Sequence, residues 1–360
     1  MKFILPLAAL ALSCCSLAHA TELIEVARSP EKIWNGVAVS STGRIFVSFP
    51  SLQEGPSDHV AEIGRDGSIT PYPGGTWNDP TPDTPSRNHF IGVNAVVTDP
   101  HHHLWVVDPA GRFGSKPLPG EAKLVKIDLT TNQVRRVYAF PTDVLPEGGF
   151  INDVRLTGSH AILTDSGLGA LLIVDLDSGR IRRVLSDDPR LKADPQHRLT
   201  INGKPYLNAQ GKTPQMHVNT LDIDPDGRFL YFQPNGGPRL LRIPVPLLCD
   251  PHTDDATLAA AIEDQGPTRF NAGMTFGPDG SLYYSDIEIS GITRRTPDGT
   301  FETIVSDPEL IAWPDASRIG PDGDLYFPAA QIHRLPGNQP DGKSRLQPPF
   351  RLFKVALPRP

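Results

Sequence analysis

Asparagine and aspartate stand at the head of the same kind of short apolar run all along this 360-residue chain: Asn35, Asn94, Asn152 with Asp153, Asn219, Asn271 and Asp315. Aligned on residues 35, 94, 152, 219, 272 and 315, the spacings are 59, 58, 67, 53 and 43. An asparagine offers a neutral carbonyl oxygen and an amide donor, so a convergent set of them with a few carboxylates can hold a polar organic ligand or a hard cation. A single asparagine at a strand start ordinarily bonds nearby backbone instead. Five at equivalent or adjacent positions point to a shared ring. Asp153, Asp315 and His217 are the candidate proton-transfer groups, since a carboxylate in a narrow, partly dry channel should have a raised pKa. The competing structural roles are strand-amide acceptors for the two carboxylates and a loop contact for His217. Trp34 and Trp313 each precede a strand start and can wall a planar ligand or fill space between sheets.

What must position these residues is a repeated hairpin. The stretch Asn271 to Val305 reads as four short strands and three turns, with Pro-Asp-Gly at 278–280 and again at 297–299. Proline fixes φ and glycine accepts the positive φ that tight hairpins need. The first two strands recur from residues 34, 93, 151, 218, 271 and 314. One four-stranded sheet leaves apolar faces in water, and radial packing of repeats buries them. The fold expected is therefore all-β, a six-bladed β-propeller.

Blade six lacks outer strands where they are due. Residues 351–356, at the end of the chain, supply its third strand, and residues 22–27 supply the fourth, so the ring closes on its own termini. Residues 1–20 form a secretory signal, with Lys2, an apolar run and Ala18-His19-Ala20 as cleavage site, leaving residues 21–360 as the propeller. No later apolar run approaches the length of a membrane span. The expected protein is an exported monomer, periplasmic or secreted. Cys14 and Cys15 fall in the signal, so Cys249 alone remains and no internal disulfide can form. The formal net charge is −7 and there is no basic run, which excludes nucleic acid as a partner.

Two long connections, Pro73 to His89 and Ser186 to Met216, both lead into an innermost strand and should lie over one mouth of the channel as lids or binding loops. Trp77 is then a lid residue. Asp108, Asp165 and Asp286 end second strands at that same mouth. Blade four departs from the repeat: residues 253–266 read as a helix capped by Thr253.

Other motifs fail. Asp222 to Gly227 matches the front of a calcium loop, but its twelfth position is Gln233. His101-His102-His103 sits in a hairpin turn without a partner cluster. There is no nucleophile elbow, zinc-protease helix, phosphate loop or dinucleotide fingerprint.

The segments FINDVRLTGSHAILTDSGLGALLIVDLDSGRIRRVL (150–185), DPDGRFLYFQPNGGPRLLRIPVPLL (224–248) and WPDASRIGPDGDLYFPAAQIHRLP with PPFRLFKVAL (313–336 and 348–357) resemble the Yellow/major royal jelly protein family. That family is similar in fold to the senescence-marker/gluconolactonase propellers. The resemblance implies a ligand site in the central funnel. Yellow relatives bind small aromatic or amine compounds or tautomerise them, whereas gluconolactonase relatives hydrolyse lactones with a divalent metal. The lactonase pattern has Glu at the start of blade one, Asn in blade four and Asp in blade five; here these are Asn35, Asn219 and Ala272. Only Asn219 and Asn35 remain as weak ligands for one divalent cation such as calcium, while the pair Asn152-Asp153 survives. Three functions are compatible with this: a metal-independent isomerase or tautomerase that binds a small organic molecule through Asn35, Asn94, Asn152, Asn219, Asn271, Trp34 and Trp313; a metal-dependent lactonase; or a non-catalytic interaction protein.

Overall fold

A computed structural model describes residues 22–53, 59–111 and 116–358; the signal segment expected over residues 1–20, with Cys14 and Cys15, lies outside the described residues. Six four-stranded antiparallel sheets follow one another round a ring. In blades one to five the chain runs from the innermost to the outermost strand, as in Ile151–Thr157, His160–Asp165, Ala170–Asp175 and Ile181–Val184 of blade three. Inner strands are packed on both faces and read as continuous apolar runs, such as Gly36–Val39, whose four residues are all buried. Outer strands such as Gln133–Ala139 are largely solvated. The core lies between sheets: Phe46, Tyr72, Phe90 and Val96 join blade one to blade two.

The Pro-Asp-Gly turns work as their residues dictate. Gly227, Gly280, Gly299 and Gly323 have φ of 69, 78, 90 and 83°. In three of the turns the aspartate accepts from the backbone two residues on, at Ser281, Thr300 and Asp324.

Closure is as the termini suggest. Leu23–Ser29 pairs with Phe350–Ala356, which pairs in turn with Asp324–Ala329, and the two-residue strand Arg318–Ile319 completes blade six on the inside. Glu25 bridges Arg28 and Arg351 across this clasp, at 2.6 and 3.0 Å, with all three side chains at least a quarter exposed. Exposed pairs of this kind contribute little. Glu25→Ala is therefore expected to lower stability by less than about 1 kcal/mol in urea unfolding; a much larger loss would mean that charge, not strand pairing, holds the ring shut.

Blade four corrects the sequence reading. The helix there is only Asp255–Ala260, capped by Asp254, whose Oδ1 accepts from Thr257 N at 2.8 Å; Thr253 is not the cap. A second short helix, Val245–Cys249, precedes it. Residues Glu263–Pro267 are the outer strand, paired with Arg239–Pro244, because the blade edge would otherwise be left without its fourth partner. The first long connection is also placed differently from expectation. Trp77 packs on Phe90 at 5.0 Å, and Asn78 Oδ1 accepts from the backbone of His59 and Val60, so this loop is bound to the side of blade one and Trp77 is no lid. No helix among the described residues is long and apolar enough to cross a membrane.

Candidate functional site

The strand-start asparagines meet in one row. Asn35 Nδ2 donates to Asn94 Oδ1 at 3.3 Å, Asn94 Nδ2 donates to Asn152 O and Oδ1 at 2.9 and 3.2 Å, and Asn152 Nδ2 donates to Ser166 Oγ at 3.0 Å. Asn219 continues the arc with Met216, whose sulfur accepts from Asn219 Nδ2 at 2.9 Å. Register shifts lie between Ile151 and Val154, between Val218 and Thr220, and between Asn271 and Met274. Such bulges turn side chains out of the ladder beside a site. These residues, with Ala272, Trp313 and Asp315, enclose a throat of about 40 Å³. It opens into a vestibule of about 560 Å³. Blade five closes tightly on blade six here: a Cβ on Gly273 would come within 2.9 Å of Asp315 O and 2.8 Å of Ala316 Cα.

Asp315 is the chemically distinctive group. It is buried, its Oδ1 accepts from Ala316 N at 2.9 Å and its Oδ2 from Trp313 Nε1 at 3.2 Å. Burial pushes the carboxyl up to about 8, more than those two hydrogen bonds pull it down, and the charge on Asp153 adds to the rise. In both contacts the carboxyl accepts, so neither uses the acid proton. Trp313 itself sits at φ 60°, a left-handed conformation that bulky residues avoid and that clusters at functional sites. Its ring meets Phe270 edge-on at 5.8 Å and Tyr206 at 5.4 Å, and stacks on His333 at 6.0 Å. The second long connection supplies Tyr206 to the vestibule and the 331–347 segment supplies Ile332, with His333 behind Trp313, so that loop does line the mouth, as its length suggests.

Below the throat the channel is bridged by charge. Asp153, on blade three, accepts from Arg155 Nη1 at 2.9 Å and from Arg318 Nη2 at 3.2 Å; Arg318 belongs to blade six, across the ring. Arg155 Nε also donates to Asp222 Oδ1 at 2.5 Å, and Asp222 Oδ2 accepts from Phe276 N at 2.6 Å. Burial alone would raise the Asp153 carboxyl, but Arg155 and Arg318 more than offset it and hold it below the usual range. The sequence expectation of a raised pKa applies to Asp315 and is wrong for Asp153. Asp153 stays ionised as part of the floor.

The remaining candidates separate. Trp34 is fully buried and donates to Arg351 O at 3.2 Å, filling the junction of blades six and one. Asn271 is turned from the throat, which its neighbour Ala272 lines, and donates to Arg269 O at 2.9 Å. His217 Nδ1 accepts from Ala193 N at 3.0 Å in a loop contact; burial, then the Lys192 charge, lower its pKa. Asp108 and Asp165 each accept three backbone N–H groups of the loops at the mouth, and Asp286 accepts one together with the Thr293 hydroxyl. Lys123 also lies 3.0 Å from Asp108, and Arg183 2.7 Å from Asp165. These three carboxylates are structural. Sequence reasoning missed Tyr206, Phe270, Asn235 and His333; of these only Tyr206 lay in a segment whose length marked it as a binding loop.

The divalent cation that a lactonase site implies does not suit these residues. The Asn35, Asn94 and Asn152 amide oxygens already accept from Ser48, Asn35 and Asn94. The one carboxyl in the throat favours its proton. Among the described residues no three His, Cys, Asp or Glu side chains gather as a metal group. A hard cation prefers several anionic oxygens.

The profile of the major royal jelly protein family, described as "Major royal jelly protein", matches residues 91–345. The chain belongs to this family. No curated protein sequence matches it. Among solved structures it is similar to a gluconolactonase from Xanthomonas campestris, at 14% identity, with 94% of this chain and 90% of that one covered and a TM-score of 0.55. It is similar as well to a catalytically inactive histidine-to-alanine variant of virginiamycin B lyase from Staphylococcus aureus with quinupristin, at 16% identity, 93% and 99% coverage and a TM-score of 0.53. A chain of the mitotic checkpoint complex is similar at 11% identity, 99% and 98% coverage and a TM-score of 0.51. At such identities the likeness concerns fold, and this fold serves enzymes and assembly proteins alike.

Proposed function

We propose that the chain is an exported protein whose funnel binds a small planar organic molecule, and that Asp315 exchanges a proton with that molecule in an isomerisation or tautomerisation of the Yellow type. The observation that carries this reading is the carboxyl of Asp315, with a pKa of about 8, at the foot of an aromatic vestibule. A carboxyl protonated near neutral pH gives its proton to one atom of the ligand, and its conjugate base recovers a proton from another. The protein ends as it began and needs no co-reactant. The amide row presents polar groups to the ligand's heteroatoms, and Trp313 with Phe270 and Tyr206 supports a ring. The lactonase reading loses its support with the donor set.

The test is a screen of neutral planar carbonyl and phenolic compounds by tryptophan fluorescence, with proton exchange followed by NMR. Trp313→Leu is expected to weaken binding by about tenfold, the loss of one stacked aromatic contact. Equal binding by the variant would remove the vestibule from the reading. Turnover of lactones that disappears with a chelator and returns with calcium would replace it by the lactonase.

A further inference from the structure

Behind Tyr206 and Asn338, which line both spaces, the vestibule adjoins a second cavity of about 360 Å³. Its wall is basic although the whole chain is acidic, with Lys204, Arg334 and Arg345 around it. Arg345 is paired with Asp341 at 2.5 Å. Arg334 is not paired with any carboxylate among the described residues. Its Nη1 donates to the neutral amides of Gln331 and Gln347, at 3.1 and 3.0 Å, and these contacts hold the guanidinium in place while Nε and Nη2 have no partner among the described residues. Burial lowers its pKa, with no acid alongside to offset that cost.

The neighbouring histidine points the same way. His333 Nδ1 is buried without a hydrogen-bond partner among the described residues, and Tyr206 beside it presents a largely buried ring. Buried polar atoms are normally satisfied, and each exception calls for an absent group. A half-buried guanidinium with a free edge is suited to a planar oxyanion, which it can grip with two parallel hydrogen bonds.

We propose that this side chamber binds the carboxylate of a small aromatic acid, gripped by the free edge of Arg334, with the ring of the acid against Tyr206. The assignment deepens the funnel reading and rests on it for the aromatic half alone. The ligand class becomes an aromatic carboxylate in place of any planar molecule. Lys204, exposed and without an acidic partner among the described residues, adds long-range attraction.

The experiment titrates the mature chain, residues 21–360, with benzoate, with its neutral isostere benzamide and with inorganic phosphate, by calorimetry at pH 7 and low salt. Benzoate is expected to bind at one site and more tightly than benzamide. Arg334→Gln should weaken benzoate about tenfold or more while leaving benzamide unchanged, and Lys204→Ala should weaken it about two- to threefold. Arg334→Lys keeps the charge and loses the fork, so an intermediate affinity is expected and guards against a loop that misfolds in the glutamine variant. Equal binding of benzoate and benzamide, unaltered in Arg334→Gln, overturns the carboxylate site while leaving the funnel reading standing. Binding of neither ring compound overturns both. Phosphate bound without benzoate reassigns the chamber to a phosphate ligand and overturns the aromatic acid.

Discussion

Asp315→Asn is expected to abolish proton exchange and to remove the pH dependence of stability that arises at the throat. Loss of a positioned general acid costs roughly a hundred- to ten-thousand-fold in rate. The stability effect follows from linkage. The carboxyl, with an ordinary value of 3.8, is raised to about 8 in the folded chain, so the folded state binds this proton more tightly than the unfolded one. Its contribution is complete below about pH 4, falls steadily above that as the unfolded carboxyl ionises, and is gone once pH has risen through about 8. Each tenfold gain in proton affinity corresponds to about 1.4 kcal/mol, which puts the ceiling at about 6 kcal/mol. Asparagine cannot ionise and escapes that loss. It does, however, set an amide N–H₂ or a mismatched oxygen against Trp313 Nε1 or Ala316 N, a penalty of about 1 kcal/mol at every pH. The two unfolding curves should therefore cross at about pH 4.5: wild type is more stable at about pH 3.5, and the variant is more stable from about pH 5 upward, most of all at about pH 9. Urea midpoints measured across that range decide it. Parallel profiles would show that Asp315 ionises normally, and the proton-transfer role would fall with them.

That carboxyl also shows where sequence reading stops. The ring and its closure were legible because strand period, Pro-Asp-Gly turns and the recurrence of Asn at strand starts are local signals, and residues 351–356 and 22–27 had the composition of the missing strands. The row of amides from Asn35 to Asn219 was legible for the same reason. The difference between Asp153 and Asp315 was not. Both head an innermost strand, yet they differ because Asp153 has Arg155 and Arg318 beside it, residues two positions along its own strand and on the opposite blade, while Asp315 is buried with no cation beside it among the described residues. No pattern in one dimension places Arg318 against Asp153. Likewise Asn271 and Ala272 exchange roles because a bulge, invisible in the sequence, turns one side chain into the wall and the other into the throat. In blade four the run from Ala256 to Ala261 has helical composition, and it forms a helix. It ends where blade geometry demands an outer strand, and tertiary pairing outweighs local propensity at Glu263–Pro267.

The charged floor beneath the throat leads to the second large effect. Arg155→Met is expected to destabilise the ring by about 3–5 kcal/mol, the usual result of removing one member of a buried charge network. Its guanidinium is buried and satisfies Asp153, Asp222 and the Met274 carbonyl at once. With methionine, Asp153 keeps Arg318 and the Val154 amide, while Asp222 is left with Phe276 N, no cation in contact and only the longer-range attraction of Arg318. The uncompensated charge, not the lost packing, dominates, because methionine has nearly the volume of the arginine stem. Two consequences separate this account from a packing defect. Adding Asp222→Asn to Arg155→Met removes that charge, so the double variant should recover part of the loss even though it has one native interaction fewer. And since Arg155 is one of the two cations that depress the Asp153 carboxyl, the single variant should lose stability at higher pH than wild type on acidification: a depressed carboxylate stabilises above its unfolded value and stops doing so as pH falls through its folded value, which rises when the cation goes. Urea unfolding of the three proteins between pH 3 and pH 7 reads both effects. A double variant less stable than the single one would mean that the floor is held by shape, and the electrostatic division of the channel into a neutral throat above and a charged floor below would have to be given up.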